Sequence, residues 1–289
     1  MLIVSCSHGK HLGKMIAKKA KASHTDLVVD KFPDDELRVQ FKANLKGKNV
    51  VLVQSFYSNV SDCIIECILA AETAAELGAK KIILAAPYFP YLRQDKRFRS
   101  GEAVSQEIIA ELFDLYFDSI YIIDPHLHRK HSLKDIFHSK TVKLTANLLT
   151  SEYIKKHIKN PIIMGPDEES FNWAKSVADS IGAESRILKK IRYSSYHVEV
   201  KLNKYIELKD RNVVIVDDII STGHTIVETA KLLRKMGAGK IYCACVHGIF
   251  AGGGLKKLKA AKVEVISANT VPNEKAKIDV SGLIAKSLR

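Results

Sequence analysis

Short apolar runs alternate with longer segments of helical periodicity along the whole chain. Runs rich in β-branched residues occur at 2–5, 26–32, 49–54, 81–87, 119–124, 161–165, 212–218, 240–246 and 263–267. Helical spacing of apolar residues is clear at 62–78, 100–117, 145–158 and 225–237. The strand-like runs are continuously apolar, which is typical of strands that are covered on both faces. The pattern therefore predicts an α/β fold, with mostly parallel sheets flanked by helices.

A weak internal repeat indicates two similar α/β domains. The segment "VVLVQSF" at 50–56 resembles "VVIVDDI" at 213–219. After each segment comes a helix that ends in Gly-Ala, and then a strand that opens with Lys-Ile. We predict one domain over 1–146 and a second over 147–289. Features common to all α/β units are the alternative explanation of the repeat.

The composition is that of a globular protein, and it bears on the cellular compartment in which the protein is expected. Of the 289 residues, 46% are hydrophobic and 27% are charged. No apolar run approaches the roughly 20 residues that span a bilayer, so we expect no membrane partner. The N-terminus enters a strand-like run directly, without the features of a signal peptide. The five cysteines show no metal-type spacing, which favours the reducing cytoplasm.

The formal net charge of +13 indicates anionic ligands. Nucleic acids and small phosphates both belong to this class. No basic tail or aromatic RNA-binding signature accompanies the charge, so we expect no nucleic-acid partner. The alternative is that many of the lysines form an ordinary solvated surface.

The stretch "VVIVDDIISTGHT" at 213–225 is the strongest candidate site. Asp217 and Asp218 follow a buried strand, and ligands of parallel sheets bind beyond the carboxyl ends of the strands. The loop after them leads into a helix, whose first N–H groups and positive end attract anions. We expect the acidic pair to hold sugar hydroxyls or a hydrated metal, and the loop to hold a phosphate. An ordinary strand end with a Ser/Thr helix cap is the alternative.

The first half of the repeat differs at the acidic pair. Gln54 and Ser55 stand where the second half has Asp217 and Asp218. We expect the second half to keep a sugar-phosphate site and the first half to be rebuilt for another ligand.

Several stretches carry a resemblance to known families. The segment 213–225 resembles the phosphoribosyl-diphosphate loop of the phosphoribosyltransferase fold. Five further stretches resemble ribose-phosphate diphosphokinase, also called PRPP synthetase. In chain order these stretches are "KFPDDELRV" (31–39), "PYFPYLRQDKRFRSGEAVS" (87–105), "IIDPHLH" (122–128), "ILKKIR" (187–192) and "VHGIF" (246–250). The resemblance covers nearly the whole chain and is closest to archaeal members. Asp35 and His224 stand where that family commonly carries glycine, and Ser221 replaces an aspartate.

The resemblance implies a reaction, a fold of two phosphoribosyltransferase-like domains, and a set of site residues. ATP and ribose 5-phosphate would give AMP and phosphoribosyl diphosphate, with the sugar's anomeric hydroxyl attacking the β-phosphorus. Lys190 and Arg192 would be catalytic, Lys190 rather than Lys189 because it matches the family's Lys-x-Arg spacing. The ATP-binding residues would be Asp34, Asp35, Glu36, Arg93, Gln94 and Asp95. The residues that bind ribose 5-phosphate would be Arg192, Asp217, Asp218, Ser221, Thr222, Gly223, His224 and Thr225.

The resemblance also implies Mg²⁺ and a homo-oligomer. His126 and Asp167 would form the metal site, and the acidic segment 34–36 would reach a neighbouring subunit's active site. From chemistry alone, His126 with His128 and His131 is also compatible with zinc, since Mg²⁺ prefers oxygen ligands. A salvage phosphoribosyltransferase and a catalytically silent regulatory homologue remain the alternative functions.

Overall fold

The computed structural model describes residues 1–127, 129–192, 198–202 and 208–289, with only the backbone at 168–169, 188–192 and 198–202. The chain divides into two compact units, one formed by 1–145 with 280–289 and the other by 146–279. The last ten residues, which we predicted in the second domain, belong to the first unit. Helix α8 (Ser281–Ser287) packs there against helix α1 (Lys10–Ala20).

The first unit is built on a parallel sheet of six strands. Their order across the sheet is β2-β1-β5-β6-β7-β8, and every neighbouring pair is parallel. The strands and the remaining helices of this unit are β1 (Leu2–Ser5), β2 (Ser23–Asp26), β3 (Val28–Lys31), β4 (Leu37–Gln40), β5 (Asn49–Val53), α2 (Val60–Glu76), β6 (Lys81–Ala86), α3 (Ser105–Asp114), β7 (Ser119–Ile123) and β8 (Lys140–Leu144). β3 and β4 form a separate antiparallel hairpin.

The second unit is built on a seven-stranded sheet. Its order is β11-β10-β9-β12-β13-β14-β15, parallel except for β11, which runs antiparallel to β10. Its elements are α4 (Asn147–His157), β9 (Ile162–Gly165), α5 (Glu168–Ile181), β10 (Glu184–Arg192), β11 (Val198–Leu202), β12 (Val213–Ile220), α6 (His224–Lys235), β13 (Ile241–Gly248), α7 (Gly254–Ala260), β14 (Val263–Ala268) and β15 (Ala276–Ile278).

The central strands of both sheets are buried on both faces, as their continuous apolar runs predict. Residues 50–53 of β5 and 213–216 of β12 are all 0% exposed. An edge-to-face group of Phe56, Phe89 and Phe113 fills the core beside the first sheet, with ring centroids 5.1 to 5.9 Å apart. Among the described helices, none is long and apolar enough to cross a membrane.

The predicted fold class is confirmed, and two elements were predicted wrongly. The run 26–32 is not one strand, because β2 pairs with β1 whereas β3 pairs with β4, and the chain changes sheets at Leu27. The predicted helix 100–117 begins only at Ser105. Residues 96–102 instead form a loop that is held by its own hydrogen bonds.

Candidate active site

The predicted phosphate loop lies at the carboxyl end of β12, inside the second unit's sheet. β12 ends at Ile220, and α6 begins at His224. Gly223 precedes α6 with a left-handed backbone (φ 73°) and offers the helix no side-chain acceptor. The first N–H groups of a helix also have no acceptor within the helix itself. This helix start has the geometry that the predicted phosphate site requires, and the binding of a phosphate there stays a prediction.

The loop residues are arranged closely around this helix start. Their exposure differs: Gly223 is buried, Ser221 and Thr225 are half-buried, and Thr222 and His224 are exposed. A Cβ atom at position 223 would meet the Leu258 side chain at 3.2 Å. The left-handed residue is Gly223, whereas His224 is already helical. The histidine that stands at a common glycine position therefore imposes no left-handed strain.

Three carboxylates lie near one another at this edge of the sheet. Asp217 and Asp218 belong to β12, and Asp167 follows the neighbouring strand β9. Burial raises the pKa of the Asp217 carboxyl well above its usual range, and the Asp218 and Asp167 carboxylates raise it further. A carboxylate in such surroundings is stabilised by hydroxyl donors or by a cation. The edge is therefore suited to sugar hydroxyls or to a metal.

Asp167 also begins helix α5. Its Oδ1 accepts the Ser170 backbone N–H at 3.0 Å and the Ser170 hydroxyl at 2.8 Å. In return, the Asp167 N–H donates to Ser170 Oγ at 3.3 Å. This capping box satisfies the helix end and fixes the carboxylate beside Asp217. Any metal or sugar ligand would share the Asp167 carboxylate with the helix cap.

The two predicted catalytic residues occur on a β-hairpin arm. Residues 184–187 of β10 pair with β9, whereas residues 188–192 pair with the antiparallel strand β11. Lys190 and Arg192 therefore lie beyond the pairing with β9, two positions apart in one strand. Their side chains lie outside the described part of the structure, so their catalytic roles stay predictions.

The predicted ATP segment of the first unit follows β6, at the carboxyl edge of the first sheet. Arg93 is exposed and Gln94 is half-buried. The Gln94 backbone N–H donates to the Tyr91 carbonyl at 3.2 Å, and the Gln94 side-chain oxygen accepts the Ser105 hydroxyl at 2.6 Å. The loop is thus fixed at Gln94 and presents the Arg93 guanidinium to solvent.

Asp95, which we predicted to bind ATP, is held in an ion pair. Its side chain is 2% exposed, and Arg129 Nη1 donates to its two oxygens at 2.7 and 2.9 Å. The pair joins the loop after β6 to the loop after β7. This geometry favours a role for Asp95 in holding the two loops together over direct contact with a nucleotide.

The basic cluster after Asp95 folds around one carboxylate. Glu102 Oε2 accepts the backbone N–H groups of Phe98 and Arg99 at 3.1 and 3.0 Å. Arg97 Nε donates to the Glu102 carbonyl at 2.9 Å. Lys96 is exposed and lies over the Phe98 ring at 5.5 Å. The cations of this loop are therefore available to an anionic ligand while the backbone stays ordered.

His126 lies just beyond β7, at the same carboxyl edge. Asp124, two residues before His126, is 7% exposed and has a left-handed backbone (φ 37°), which is uncommon outside glycine. His126 is half-buried and His131 is exposed, whereas His128 lies outside the described residues. Within the described ranges, no three His, Cys, Asp or Glu side chains are close enough together to hold a metal by themselves.

The acidic turn 34–36 connects β3 to β4. The Phe32 N–H donates to the Glu36 carbonyl at 2.8 Å, and the Asp35 N–H donates to the Phe32 carbonyl at 2.9 Å. All three acidic residues are exposed. Asp35, which stands at a common glycine position, has a left-handed backbone with φ 71°. Aspartate tolerates this region better than most residues, which explains why it is accepted here.

This backbone conformation gives a testable prediction at Asp35. Asp35→Gly should leave the free energy of unfolding within about 0.5 kcal/mol of the native value, because relief of strain offsets the entropy of glycine. Asp35→Val should lower it by about 1–2 kcal/mol, because a β-branched residue is poorly accommodated at positive φ. Urea denaturation of the two variants measures the difference. Equal stability would contradict the left-handed assignment.

The counterpart of the phosphate loop in the first unit is filled by protein side chains. Gln54, at the end of β5, donates from Nε2 to Glu66 at 3.1 Å and accepts the His8 N–H at 2.8 Å. Glu66 is 2% exposed and also accepts the backbone N–H and the hydroxyl of Ser7. Helix α2 begins after the left-handed Asn59, much as α6 begins after Gly223. At this position the described residues show polar groups that bind one another, and the binding of another ligand by this half stays a prediction.

Sequence reasoning missed Ser105, Arg129 and Glu66. Glu66 did carry a signal, because it is a lone acid between Cys63 and Cys67 on an apolar helix face. Ser105 and Arg129 carried none, since their partners lie 11 and 34 residues away along the chain.

Comparison with known proteins finds matching families for both units. The family described as the N-terminal domain of ribose phosphate pyrophosphokinase matches residues 1–115, and the phosphoribosyl transferase domain family matches residues 132–281. A ribose-phosphate pyrophosphokinase from Pyrococcus furiosus is 34% identical over 280 residues, which are 97% of each chain. One from Methanothermobacter thermautotrophicus is 33% identical over 290 residues, covering 100% of both chains.

A solved structure extends the similarity to the fold. The phosphoribosylpyrophosphate synthetase of Mycobacterium smegmatis superposes with a TM-score of 0.87 at 25% identity, covering 100% of this chain and 97% of that chain. The two units, the order of the motifs and the full-length identity to named relatives agree. The chain belongs to the ribose-phosphate pyrophosphokinase family.

Proposed function

We propose that this chain transfers the diphosphoryl group of ATP to the 1-hydroxyl of ribose 5-phosphate, giving phosphoribosyl diphosphate and AMP for nucleotide biosynthesis. The observation that carries the proposal lies at the end of β12. There the carboxylates of Asp217 and Asp218 precede helix α6, whose first backbone N–H groups have no side-chain acceptor. A sugar phosphate needs both features, one for its hydroxyls and one for its phosphate. Full-length similarity to named pyrophosphokinases supports the same reaction.

Ribose 5-phosphate would bind across this edge of the second unit. The 5-phosphate accepts hydrogen bonds from the loop amides of 221–225 and from the hydroxyls of Ser221, Thr222 and Thr225. The ribose hydroxyls donate to Asp217 and Asp218. Anchoring the sugar at both ends leaves its 1-hydroxyl oriented for attack on phosphorus, and such positioning supplies much of the catalysis in phosphoryl-type transfer.

ATP would bind to residues of the first unit. Arg93 offers a forked donor for phosphate oxygens, and Gln94 offers amide hydrogen bonds. Lys190 and Arg192 would neutralise the negative charge that develops on the transferring diphosphoryl group, because cationic donors act most strongly in a site from which water is excluded. Arg192, at the end of the described part of β10, would also contact the sugar phosphate.

Mg²⁺ is the cofactor that these residues fit. The ion commonly uses one or two carboxylates together with substrate phosphates and keeps several waters. Asp167 and the acidic pair at 217–218 provide such oxygen ligands in the second unit. Burial raises the pKa of Asp217, and the neighbouring Asp218 and Asp167 carboxylates raise it further. In the first unit, His126 is the residue that the family resemblance assigns to the metal. When bound, the ion would neutralise charge on the phosphates.

A homo-oligomer with its active site at a subunit interface is part of the proposal. The acidic turn 34–36 lies on a hairpin outside the main sheet, and its neighbour Phe32 is 46% exposed. Exposed residues of this kind on a hairpin outside the main sheet are available to a neighbouring subunit.

We place the enzyme in the cytoplasm, where ATP is abundant and all five cysteines would remain free thiols as observed.

Phosphorus NMR on the purified protein with Mg-ATP and ribose 5-phosphate tests the reaction. We expect AMP to appear together with a sugar-linked diphosphate, and neither product when ribose 5-phosphate is omitted. If ATP stays intact, phosphoribosyl diphosphate and a purine or pyrimidine base are added to the same tube. Consumption of the diphosphate would then establish a salvage transferase, and no reaction in either mixture would favour a regulatory homologue.

A further inference from the structure

The start of helix α3 holds the ATP-side loop by three hydrogen bonds. The Ser105 hydroxyl donates to Gln94 Oε1 at 2.6 Å, and the Gln106 backbone N–H donates to the Gln94 carbonyl at 3.3 Å. The Gln106 side-chain amide donates to the Leu92 carbonyl at 3.0 Å. The two contacts from Gln106 fix the backbone of the loop, whereas the contact from Ser105 reaches the side chain of Gln94.

The Ser105 hydroxyl anchors the Gln94 side chain and, in the structure, donates to the oxygen of its amide. A carboxamide has an acceptor oxygen and a donor nitrogen of nearly equal size, so its two orientations differ only in their hydrogen bonds. Because the Ser105 hydroxyl binds the oxygen, the opposite side of the group presents Nε2 and its two hydrogens. A ligand that meets Gln94 must therefore offer an acceptor, such as a phosphate oxygen or a ring nitrogen of a nucleotide.

Ser105 has no competing role as a helix cap. The residue before α3 is Val104, and no side chain caps the helix there. Its hydroxyl is half-buried against Gln94, and the loop remains attached through Gln106 when that hydroxyl is removed. Loss of the hydroxyl should therefore change the orientation of one amide with little effect on folding.

We propose that Ser105 is a positioning residue for ATP binding, which fixes the Gln94 amide so that it donates to the nucleotide. This inference rests on the proposed function, in which Gln94 contacts ATP. Without the Ser105 hydroxyl the Gln94 side chain loses this anchor, and it no longer stays in the position from which its amide donates to the nucleotide. The affinity for ATP falls, whereas ribose 5-phosphate, bound in the other unit, is unaffected.

The experiment compares Ser105→Ala, Ser105→Thr and Gln94→Ala with the double variant Ser105→Ala/Gln94→Ala. We expect Ser105→Ala to raise the KM for ATP, and the Kd of Mg-ATP by isothermal titration, about fivefold, the effect of one lost hydrogen bond. The KM for ribose 5-phosphate and the melting temperature should stay unchanged. Ser105→Thr keeps the hydroxyl and should restore the ATP affinity. Ser287→Ala, which removes a hydroxyl that donates to the Ile284 carbonyl in α8, is the matched control.

The double variant separates a positioning role from any other. If Ser105 acts through Gln94, its replacement has no further effect once Gln94 is alanine. An equal loss in both backgrounds, or an unchanged ATP affinity in Ser105→Ala, would overturn the inference while leaving the proposed function intact. A normal ATP affinity in Gln94→Ala would overturn the inference as well. Absence of product from the native protein would instead refute the proposed function, and the titrations would still report on Ser105.

Discussion

Replacing Lys190 with alanine should lower kcat by about 10²- to 10³-fold, the usual cost of removing a charged group that stabilises a transition state. The melting temperature should hardly change, because position 190 lies on the hairpin arm beyond the pairing with β9. The KM values should change much less than kcat, since the diphosphoryl group gains charge only as it transfers. Initial rates at varied ATP and ribose 5-phosphate provide the measurement.

Lys189→Ala is the matched control for this prediction. It removes the same charge one position away in the same strand, and neighbouring strand positions face opposite sides of a sheet. We expect Lys189→Ala to keep a kcat close to the native value. Equal losses in both variants would mean that the general positive charge of the arm matters rather than one catalytic lysine. An unchanged rate in Lys190→Ala would refute its assigned role.

Replacing Gly223 with alanine should lower kcat/KM for ribose 5-phosphate by about 10- to 100-fold, the range expected when a binding group is displaced by a fraction of an ångström to an ångström. The added Cβ meets Leu258 side-chain atoms at 3.2 and 3.3 Å, so either the Leu258 side chain or the loop must shift by a few tenths of an ångström, roughly. The left-handed backbone at φ 73° costs alanine a further 1–2 kcal/mol of stability, roughly. Kinetics and thermal denaturation measure the two effects separately.

Gly182→Ala separates strain from contact. Gly182 caps α5 with a similar φ of 68°, and nothing lies within 4 Å of a Cβ atom there. Both alanine variants should lose similar stability, and only Gly223→Ala should lose affinity for ribose 5-phosphate. A loss of sugar-phosphate affinity in Gly182→Ala would show that general destabilisation, rather than the geometry of the phosphate loop, is responsible.

The fold class followed from local pattern because both sheets bury their central strands on both faces. Other features depended on distant contacts and were not predicted. Helix α1 contains Gly13, which weakens its helical signal. A Cβ at position 13 would lie 2.0 Å from Ser5 Oγ, so only glycine permits the close packing. Similarly, no residue of α8 indicates that it packs against α1 rather than within the second unit.

The candidate site likewise contains features that the local sequence predicts and features that depend on distant contacts. The loop at 221–225 could be recognised because its residues are consecutive and follow a buried strand. Only the structure shows which loop residue has the left-handed backbone, and this residue is Gly223 rather than His224. Asp95 resembles a ligand-binding residue in sequence, but its pairing with Arg129 joins two loops that are far apart along the chain. Motif position alone therefore does not separate residues that touch a ligand from residues that hold the site together.

The first unit explains why the chain would use one sugar phosphate rather than two. Glu66 places a buried carboxylate beneath the counterpart loop, where Ser7 and Gln54 bind it. An incoming phosphate would meet a negative charge whose hydrogen-bond donors are already used. The acidic pair and open loop of the second unit present the opposite situation. In the proposed function, the second half of the repeat binds the sugar phosphate at this loop, whereas the counterpart loop of the first half is held by its own side chains.

Transfer of the diphosphoryl group as one unit is tested most directly with ATP that carries radioactive phosphorus at the β position. The protein is incubated with this ATP, Mg²⁺ and ribose 5-phosphate, and the products are separated by anion exchange. We predict that the β label appears in the sugar product, in amounts equal to the AMP formed. Label retained in ADP, or released as free phosphate or pyrophosphate without a sugar product, would contradict diphosphoryl transfer.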